Sequence, residues 1–177
     1  MPKYSYRRDP LTPQEVGHII EEMDTPGMKA LVAFLYLYGT RISEALKLER
    51  KDFVILKKGL KVNIHQEKKR TGSPLLYSHQ LTVRGPSPYV HYIVDHLGMV
   101  SEGKIWPISR TTAWRKIHRV IPISPHFFRH TRASRLAEQT DNPFVLVDWF
   151  GWANANPAAR YIQMSGRLAS RLSDKVD

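Results

Sequence analysis

Apolar positions in the first forty residues repeat at the spacing of amphipathic helices. Residues 12–15 read Thr-Pro-Gln-Glu, which is typical of a helix start with a Thr cap, Pro in the first turn and Glu three residues later. An apolar stripe follows, formed by Val16, Ile19, Ile20 and Met23. Pro26-Gly27 then predicts a turn. The strongly apolar run from Met28 to about Tyr38 predicts a buried helix that ends at Gly39.

The pattern changes from helical spacing to alternation near Asp52. Before that point, residues 40–48 predict a short helix with Ile42, Ala45 and Leu46 facing inward. After it, residues 53–56, 60–65 and 74–77 predict three short strands. The connection over residues 66–72 is rich in Lys and Arg, so we expect a basic hairpin tip on a small antiparallel sheet.

The second half of the chain returns to helical spacing. Helices are predicted from residue 87 or 88 to 97, from 110 to 119, from about 125, over 144–150 and from 156, with Gly98 and Gly151 as stops. The fold class is therefore predicted to be α+β, mostly α-helical, with a small three-stranded antiparallel sheet.

Charge points to the class of partner. Lys and Arg number 27 against 16 Asp and Glu, which gives a net charge of +11, so a polyanion is expected and nucleic acid is the simplest one. The longest apolar run, residues 30–38, is too short to span a membrane, and no apolar signal segment opens the chain. With no Cys at all, the sequence fits a cytoplasmic protein without disulfides.

Residues 124–134 combine side chains that suit a phosphate better than a hydrophobic core. If a helix begins at Pro125 with Ser124 as its cap, then His126, Arg129 and His130 share one face. A guanidinium matches two phosphate oxygens, and an imidazole exchanges a proton near neutral pH. Two other interpretations are an exposed helix that only touches the DNA backbone, and a zinc site at the two histidines, which would need further ligands.

Arg41 is predicted to lie at a helix start just after the buried helix, where its guanidinium can reach a cleft. Glu44 follows within one turn and can pair with Arg41 and hold it in place. On local pattern alone, a structural ion pair is an equally good interpretation of these two residues. Similarly, a Lys or Arg on the hairpin tip is more often a solvated or DNA-backbone contact than a catalytic group.

Four pieces of the sequence, in this order, resemble the catalytic domain of tyrosine recombinases, the phage- and plasmid-type integrases. They are Arg41 within Gly-Thr-Arg-Ile-Ser-Glu, the His126-x-x-Arg129-His130 run, the Phe150-Gly151-Trp152 step, and Tyr161 nine residues later. The resemblance covers nearly the whole chain. It implies the catalytic-domain fold of DNA breaking–rejoining enzymes, with a three-stranded sheet between the first Arg and the His-x-x-Arg helix.

The resemblance also implies a role for each matching residue. Tyr161 matches the nucleophile, which attacks a DNA phosphodiester to give a 3′-phosphotyrosyl link and a free 5′-hydroxyl. Arg41 and Arg129 match the two arginines that bind the non-bridging oxygens, and His126 matches the histidine that assists proton transfer with the tyrosine. Trp152 stands where most members have His and some have Trp. Its indole N–H can donate to the phosphate but cannot shuttle a proton.

Two further roles concern supporting residues and the leaving group. His130 resembles the second histidine of the motif and is expected to support rather than act. The sheet-borne lysine of the family, which protonates the leaving 5′-oxygen, maps to the hairpin tip. Aligned on Thr71-Gly72, its place is taken by Arg70, so Lys69 is our choice and Lys68 the reserve. If Arg70 fills the place, proton donation would be poor, because guanidinium hardly gives up a proton.

The sequence therefore predicts the catalytic domain of a site-specific recombinase that acts on double-stranded DNA, in a prokaryotic, viral or plasmid-borne setting. No cofactor or metal is expected, because arginines supply the positive charge and covalent capture conserves the bond energy for rejoining. Residues 1–11 are expected to form an N-terminal arm or linker and residues 12–177 the catalytic domain, without the N-terminal core-binding domain.

Assembly and two rival functions stay open at this point. The resemblance implies a homo-tetramer on DNA, with the segment after Gly166 as a candidate for docking into a neighbour, whereas a catalytic domain on its own is expected to be a monomer when free. One rival function is a catalytically silent DNA-binding module of the same fold. The other is relaxation of DNA without strand exchange, as type IB topoisomerases perform it.

Overall fold

The structure is a computed structural model that describes residues 9–70, 73–84 and 87–166, with their side chains except those of residues 66–70, 73–79 and 84. The elements are α1 (Pro13–Glu21), α2 (Pro26–Tyr38), α3 (Ile42–Ala45), a 3-10 turn (Arg50–Asp52), β1 (Phe53–Leu56), β2 (Gly59–Arg70), β3 (Ser73–Arg84), α4 (Val90–Gly98), α5 (Arg110–Val120), α6 (His126–Ala137), α7 (Pro143–Phe150) and α8 (Asn156–Met164). The predicted mostly helical α+β fold with a three-stranded antiparallel sheet is confirmed.

Helix α2 is the centre of the main core, because it carries apolar side chains on every face. It packs against α1, α4 and α6. The predicted turn at Pro26-Gly27 is wrong: these residues are the first two of α2, and the hydroxyl of Thr25 accepts a hydrogen bond from the N–H of Met28 at 3.3 Å. Proline favours this place because a first-turn residue needs no N–H for the helix.

The sheet has the order β1-β2-β3 with antiparallel neighbours. Strands β2 and β3 have 12 residues each, so most of the predicted hairpin tip is paired strand backbone. Charged residues 67–70 interrupt the apolar alternation that sequence reasoning relies on, whereas ladder hydrogen bonds form whatever the side chain is. The hydroxyl of Tyr38 donates to the carbonyl of Leu60 at 2.6 Å and ties the sheet to α2.

Helices α6, α7 and α8 share a second, smaller apolar cluster, formed by Ala133, Leu136, Ala137, Leu146, Phe150, Ala158 and Ile162. Two of the predicted glycine stops are present: α2 ends at Gly39 and α7 at Gly151, both in the left-handed region with φ of 65° and 59°. The predicted stop at Gly98 is wrong, because this residue is the last one of α4 and Met99 caps the helix. The ends of α2 and α7 both contact Arg129 on α6, at the boundary between the two apolar clusters. The candidate functional side chains lie around this junction. Within the described ranges, no helix has the length and apolarity needed to cross a membrane.

Upstream of α1, the chain packs onto α6. Leu11 is fully buried, and its backbone N–H donates to the hydroxyl of Thr131 at 3.2 Å. The guanidinium of Arg135 donates to the carbonyl of Leu11 at 3.4 Å. Residues 1–8 of the predicted arm and the segment after Gly166 lie outside the described residues.

Candidate active site

Arg129 is a buried arginine on α6 whose guanidinium joins two helix ends. One terminal nitrogen donates to the carbonyl of Gly39 at 2.9 Å and the other to the carbonyl of Phe150 at 3.0 Å. The guanidinium carbon also lies 4.7 Å from the centre of the Phe150 ring. Burial, and then the positive charge of Arg41, lower the pKa of Arg129 to about 10. The side chain therefore remains charged near neutral pH.

Glu44 connects Arg129 to Arg41. Its carboxylate accepts hydrogen bonds from the guanidinium and from the backbone N–H of Arg41, both at 2.7 Å. The same carboxylate lies 4.0 Å from a guanidinium nitrogen of Arg129. The Glu44 side chain is 10% exposed, whereas that of Arg41 is 51% exposed. Glu44 thus lies between the two arginines, with Arg41 presented to solvent.

His126 is the first residue of α6 and lies at the same side of the molecule, with its side chain exposed. Its backbone N–H donates to the hydroxyl of Ser124 at 3.3 Å. Partial desolvation, followed by the charges of Arg129 and Arg41, lowers the pKa of His126. This imidazole is accordingly neutral near pH 7, so it is able to accept a proton there.

Trp152 and Tyr161 extend the cluster from Arg129 toward α8. The Trp152 ring stacks on the Tyr161 ring with centres 5.8 Å apart and planes 7° apart, and the Arg129 guanidinium lies 5.8 Å from the Trp152 ring. Tyr161 is half-buried. Burial raises the pKa of Tyr161, and the nearby charge of Arg129 partly offsets that rise. The phenol is therefore protonated at neutral pH.

His130 contacts the hydroxyl of Tyr161. The distance from Nδ1 of His130 to the phenolic oxygen is 3.2 Å, and the two ring centres are 5.5 Å apart. Both residues line a cavity of about 490 Å³ together with Asn154, Asn156 and Arg160. The sequence placed His130 beside the motif, but its bond to Tyr161 depends on the packing of α6 against α8 and has no signal in the sequence.

The hairpin candidates fall outside the described side chains. Backbone pairing in the β2–β3 ladder sets Lys68 opposite Leu75, Lys69 opposite Pro74 and Arg70 opposite Ser73. Lys68, Lys69 and Arg70 therefore stay predictions for the residue that serves the leaving group.

Sequence reasoning missed what supports the two arginines. The carbonyl groups that accept from Arg129 belong to Gly39 and Phe150, and a backbone acceptor carries no side-chain signal. Arg132, one turn after Arg129, was given no role. Its guanidinium lies 4.7 Å from the centre of the Trp149 ring, and the Trp149 indole N–H donates to the carbonyl of Tyr38 at 2.9 Å. The spacing of three residues from Arg129 was the available signal that Arg132 faces the same helix junction.

These contacts form a continuous path from Arg41 through Glu44, Arg129 and Trp152 to Tyr161, with His130 at its end. Guanidinium groups stabilise charge that develops on phosphate oxygens, and a phenol is a nucleophile when a base takes its proton. No group of three or more His, Asp or Glu side chains that could hold a metal occurs among the described residues. The zinc interpretation of the two histidines therefore gains no further ligand there.

Comparison with known protein families and sequences gives one consistent result. Residues 9–166 match the phage integrase family. The chain is 31% identical over 133 residues to tyrosine recombinase XerD of Chlorobaculum tepidum, a stretch that covers 70% of this chain and 44% of that protein. The chain thus spans less than half of the length of this curated relative.

Solved structures with the same fold include two that cover nearly all of this chain. The XerH site-specific recombinase bound to a palindromic difH substrate in a post-cleavage complex aligns with a TM-score of 0.70 at 15% identity, covering 94% of this chain and 52% of that one. The catalytic domain of bacteriophage HP1 integrase aligns with a TM-score of 0.62 at 19% identity, covering 94% of both chains. The predicted fold is confirmed by these matches.

Proposed function

This chain belongs to the phage integrase family, and on that premise we propose that it is the catalytic part of a site-specific DNA recombinase that cleaves and rejoins DNA through a 3′-phosphotyrosyl intermediate. The observation that carries the proposal is the path of contacts that links Arg41, Glu44 and Arg129 to Trp152 and Tyr161. These residues come from four separate segments of the chain, and a structural ion pair alone would not gather them around one phenol.

In the proposed reaction, the phenolic oxygen of Tyr161 attacks the phosphorus of one DNA strand. Negative charge grows on the non-bridging oxygens, where Arg41 and Arg129 would bind it, and Trp152 would donate its indole N–H. His126 is the proposed assistant in proton transfer. The leaving 5′-oxygen needs a proton, for which Lys69 or Lys68 on the hairpin is the proposed donor. Since the phosphotyrosyl bond conserves the energy of the broken phosphodiester, rejoining needs no nucleotide cofactor.

Double-stranded DNA is the proposed partner. The net charge of +11 favours binding of the phosphate backbone, with an affinity that falls as salt is added. Helix α5 contributes exposed positive charge for such binding, carried by Arg110, Arg115 and Arg119. Among solved structures of the same fold, XerH recombinase is bound to its difH substrate and the Tn1549 transposon integrase is in complex with circular intermediate DNA. A homo-tetramer on DNA, a monomer when free, and action in the cytoplasm are parts of the same proposal.

The domain division is proposed as a linker over residues 1–11 and a catalytic unit over residues 12–177. The family match supports a catalytic unit that begins near the start of this division. The burial of Leu11 against α6 favours a junction slightly before residue 11, because the residue just before the Thr12 cap is already packed on the domain.

The test uses a pool of nicked DNA duplexes of randomised sequence, because the target is set by base contacts that the sequence does not give. After incubation and denaturation in detergent, DNA that stays linked to protein is recovered and sequenced. We expect the wild-type chain to form sequence-selective covalent adducts and Tyr161→Phe to form none. Tyr92→Phe on α4 is the matched control, because that hydroxyl bonds Glu21 away from the site, and it should keep the adduct.

Each other outcome identifies a rival function. Retention of duplex DNA without any adduct, by wild type and Tyr161→Phe alike, would contradict the enzyme and favour a silent DNA-binding module. An adduct that leads to relaxation of supercoiled plasmid, with no exchange of strands between two duplexes carrying the recovered sequence, would favour a topoisomerase.

A further inference from the structure

We infer that His130 is the base that takes the proton from the Tyr161 hydroxyl when the phenolic oxygen attacks DNA, and that it is a catalytic residue rather than a support for the motif helix. The inference rests on the proposed function, since it names a further participant in that reaction. For the proton of Tyr161, it replaces His126, to which the proposed function gives this transfer on the strength of the sequence resemblance.

Of the two histidines, His130 is the one that contacts the Tyr161 hydroxyl. The Nδ1 atom of His130 lies 3.2 Å from the Tyr161 hydroxyl, within the distance for direct proton transfer. No hydrogen bond joins His126 to Tyr161 among the described residues, although both side chains are described. His126 instead has Arg129 and Arg41 as its strongest charged neighbours. The two histidines therefore serve different ends of the site, with His126 nearer the arginines and His130 at the nucleophile.

The Tyr161 phenol carries its proton at neutral pH. Burial raises the pKa of Tyr161, and Arg129 opposes this only in part. A phenol that keeps its proton at neutral pH is able to donate a hydrogen bond, and the imidazole nitrogen accepts it when the ring carries its own proton on Nε2. A neutral imidazole with its proton on Nε2 has Nδ1 available for that purpose. In that tautomer, the 3.2 Å contact has the arrangement of an acid donor and its base.

His130 is accessible from a cavity beside the nucleophile. It faces a cavity of about 490 Å³ that also exposes Arg160 and the Tyr161 ring. The titratable and charged groups around it include Tyr161 and Arg160 on α8, with His126 one turn earlier on its own helix. Access from this cavity lets the imidazole exchange a proton with solvent between cleavage and rejoining.

Cleavage couples one proton transfer at Tyr161 to the exchange of two bonds at phosphorus. The O–H bond of Tyr161 breaks, the proton moves to Nδ1 of His130, and the phenolic oxygen forms a bond to phosphorus. The bond from phosphorus to the 5′-oxygen breaks, and that oxygen takes the electron pair and a proton from a separate acid, for which the hairpin lysine is proposed. On rejoining, the 5′-hydroxyl attacks phosphorus and loses its proton to that group, while His130 returns a proton to the departing phenolate.

The test compares His130→Asn and His130→Ala with wild type in single-turnover adduct formation on a nicked duplex recovered from the randomised pool. The Asn side chain keeps a polar group near the Nδ1 position but cannot take up a proton. We expect both variants to be about 10²-fold slower near pH 7. The deficit should shrink at least tenfold as the pH rises above about 10, the ordinary pKa of a phenol, because burial raises the pKa of Tyr161 and ionisation without a base needs a higher pH.

Three results would overturn the inference while leaving the proposed function intact. The first is adduct formation by His130→Asn at the wild-type rate. The second is a loss of rate that stays constant with pH, as expected for a purely structural residue. The third is a pH-dependent recovery that is seen with His126→Asn instead. The matched control His18→Asn on the exposed face of α1 should behave as wild type. Absence of any adduct with wild type would instead contradict the proposed function and this inference together.

A measurement on the wild-type protein removes dependence on variants that fail to fold. The ¹⁵N NMR shifts of the His130 ring at about pH 8 distinguish its two neutral tautomers. We expect Nδ1 to be unprotonated, with the proton on Nε2. A proton on Nδ1 would make the imidazole the donor to Tyr161 and would overturn the inference.

Discussion

Glu44 fixes Arg41 through two hydrogen bonds of 2.7 Å, one to its guanidinium and one to its backbone N–H. The carboxylate lies on the third residue of α3 and Arg41 immediately precedes that helix, so the pairing combines a helix cap with an ion pair. Its other neighbour is Arg129 at 4.0 Å. One buried carboxylate therefore orients one arginine and offsets the charge of both.

Replacing Glu44 by Gln is predicted to slow cleavage while DNA binding is kept. The amide can accept only through its oxygen and carries no charge, so at least one bond to Arg41 is lost. A hydrogen bond to a charged group contributes about 1.5 kcal/mol, which corresponds to roughly tenfold in rate. Single-turnover adduct formation and duplex affinity, measured side by side, check this. Equal losses in both would mean that Glu44 acts on DNA binding and not on the geometry of Arg41.

Trp152 is predicted to contribute both a donor and a stacking surface. Trp152→Phe keeps a ring against Tyr161 but removes the indole N–H, so we expect adduct formation to fall by about 10²-fold. Trp152→Ala removes the stacked ring as well and should be slower still, because the phenol loses the flat surface that aligns it. The measurement is the cleavage rate of the three proteins at saturating DNA. Wild-type activity in Trp152→Phe would show that the ring acts by packing alone.

Gly39→Ala is predicted to destabilise the fold by at least about 2 kcal/mol. The residue has φ of 65°, and an added Cβ would lie 2.7 Å from the Phe150 ring and 3.0 Å from the Cβ of Arg132. Thermal unfolding measures the change.

Substitutions at two other glycines separate the cost of the backbone conformation from the cost of the close approach to Phe150. Gly103→Ala shares the positive φ of 74° but has nothing within 4 Å, so it isolates the backbone cost of about 1 kcal/mol. Gly98→Ala at the end of α4 has neither problem and should be neutral or slightly stabilising. If Gly39→Ala costs no more than Gly103→Ala, the close approach to Phe150 does not constrain the junction.

The imidazole of His126 is predicted to titrate below 6.5, its ordinary value, because desolvation and the charges of Arg129 and Arg41 disfavour its protonated form. The native state then binds this proton less readily than the unfolded state does. Stability should fall as the pH drops below about 6.5, and the penalty should be absent in His126→Asn. NMR titration of the ring gives the midpoint, and Arg41→Ala should move it upward. A midpoint at or above 6.5 would contradict the prediction.

Local signals in the sequence were enough to place most helix boundaries. The Thr12 cap with Glu15 and the stops at Gly39 and Gly151 all depend on residues within one turn of each other, and the structure has them. The long β2–β3 ladder was underestimated because its outer half is charged and pairs through backbone groups. The motif residues were identified by resemblance, whereas their partners were not.

Those partners explain where sequence reasoning stopped. The carbonyl groups that bind Arg129, and the bond between His130 and Tyr161, join segments between 21 and 90 residues apart. Such contacts are set by how α6 packs between α2 and α8, which no local pattern encodes. The side chains of the hairpin candidates lie outside the described residues, so the choice among them is unchanged.

The two carbonyl bonds of Arg129 have a practical consequence for anyone who wants an inert version of this protein. Replacing Arg129 would remove a group that acts on the phosphate and would also remove the two hydrogen bonds that join the ends of α2 and α7. Loss of DNA retention by such a variant could then come from either the missing phosphate contact or the altered fold. The phenolic oxygen of Tyr161 makes a single contact between helices, with Nδ1 of His130 at 3.2 Å, and the ring that stacks on Trp152 is kept in Tyr161→Phe. Tyr161→Phe is accordingly the cleaner reagent for capturing an uncut duplex on an intact scaffold.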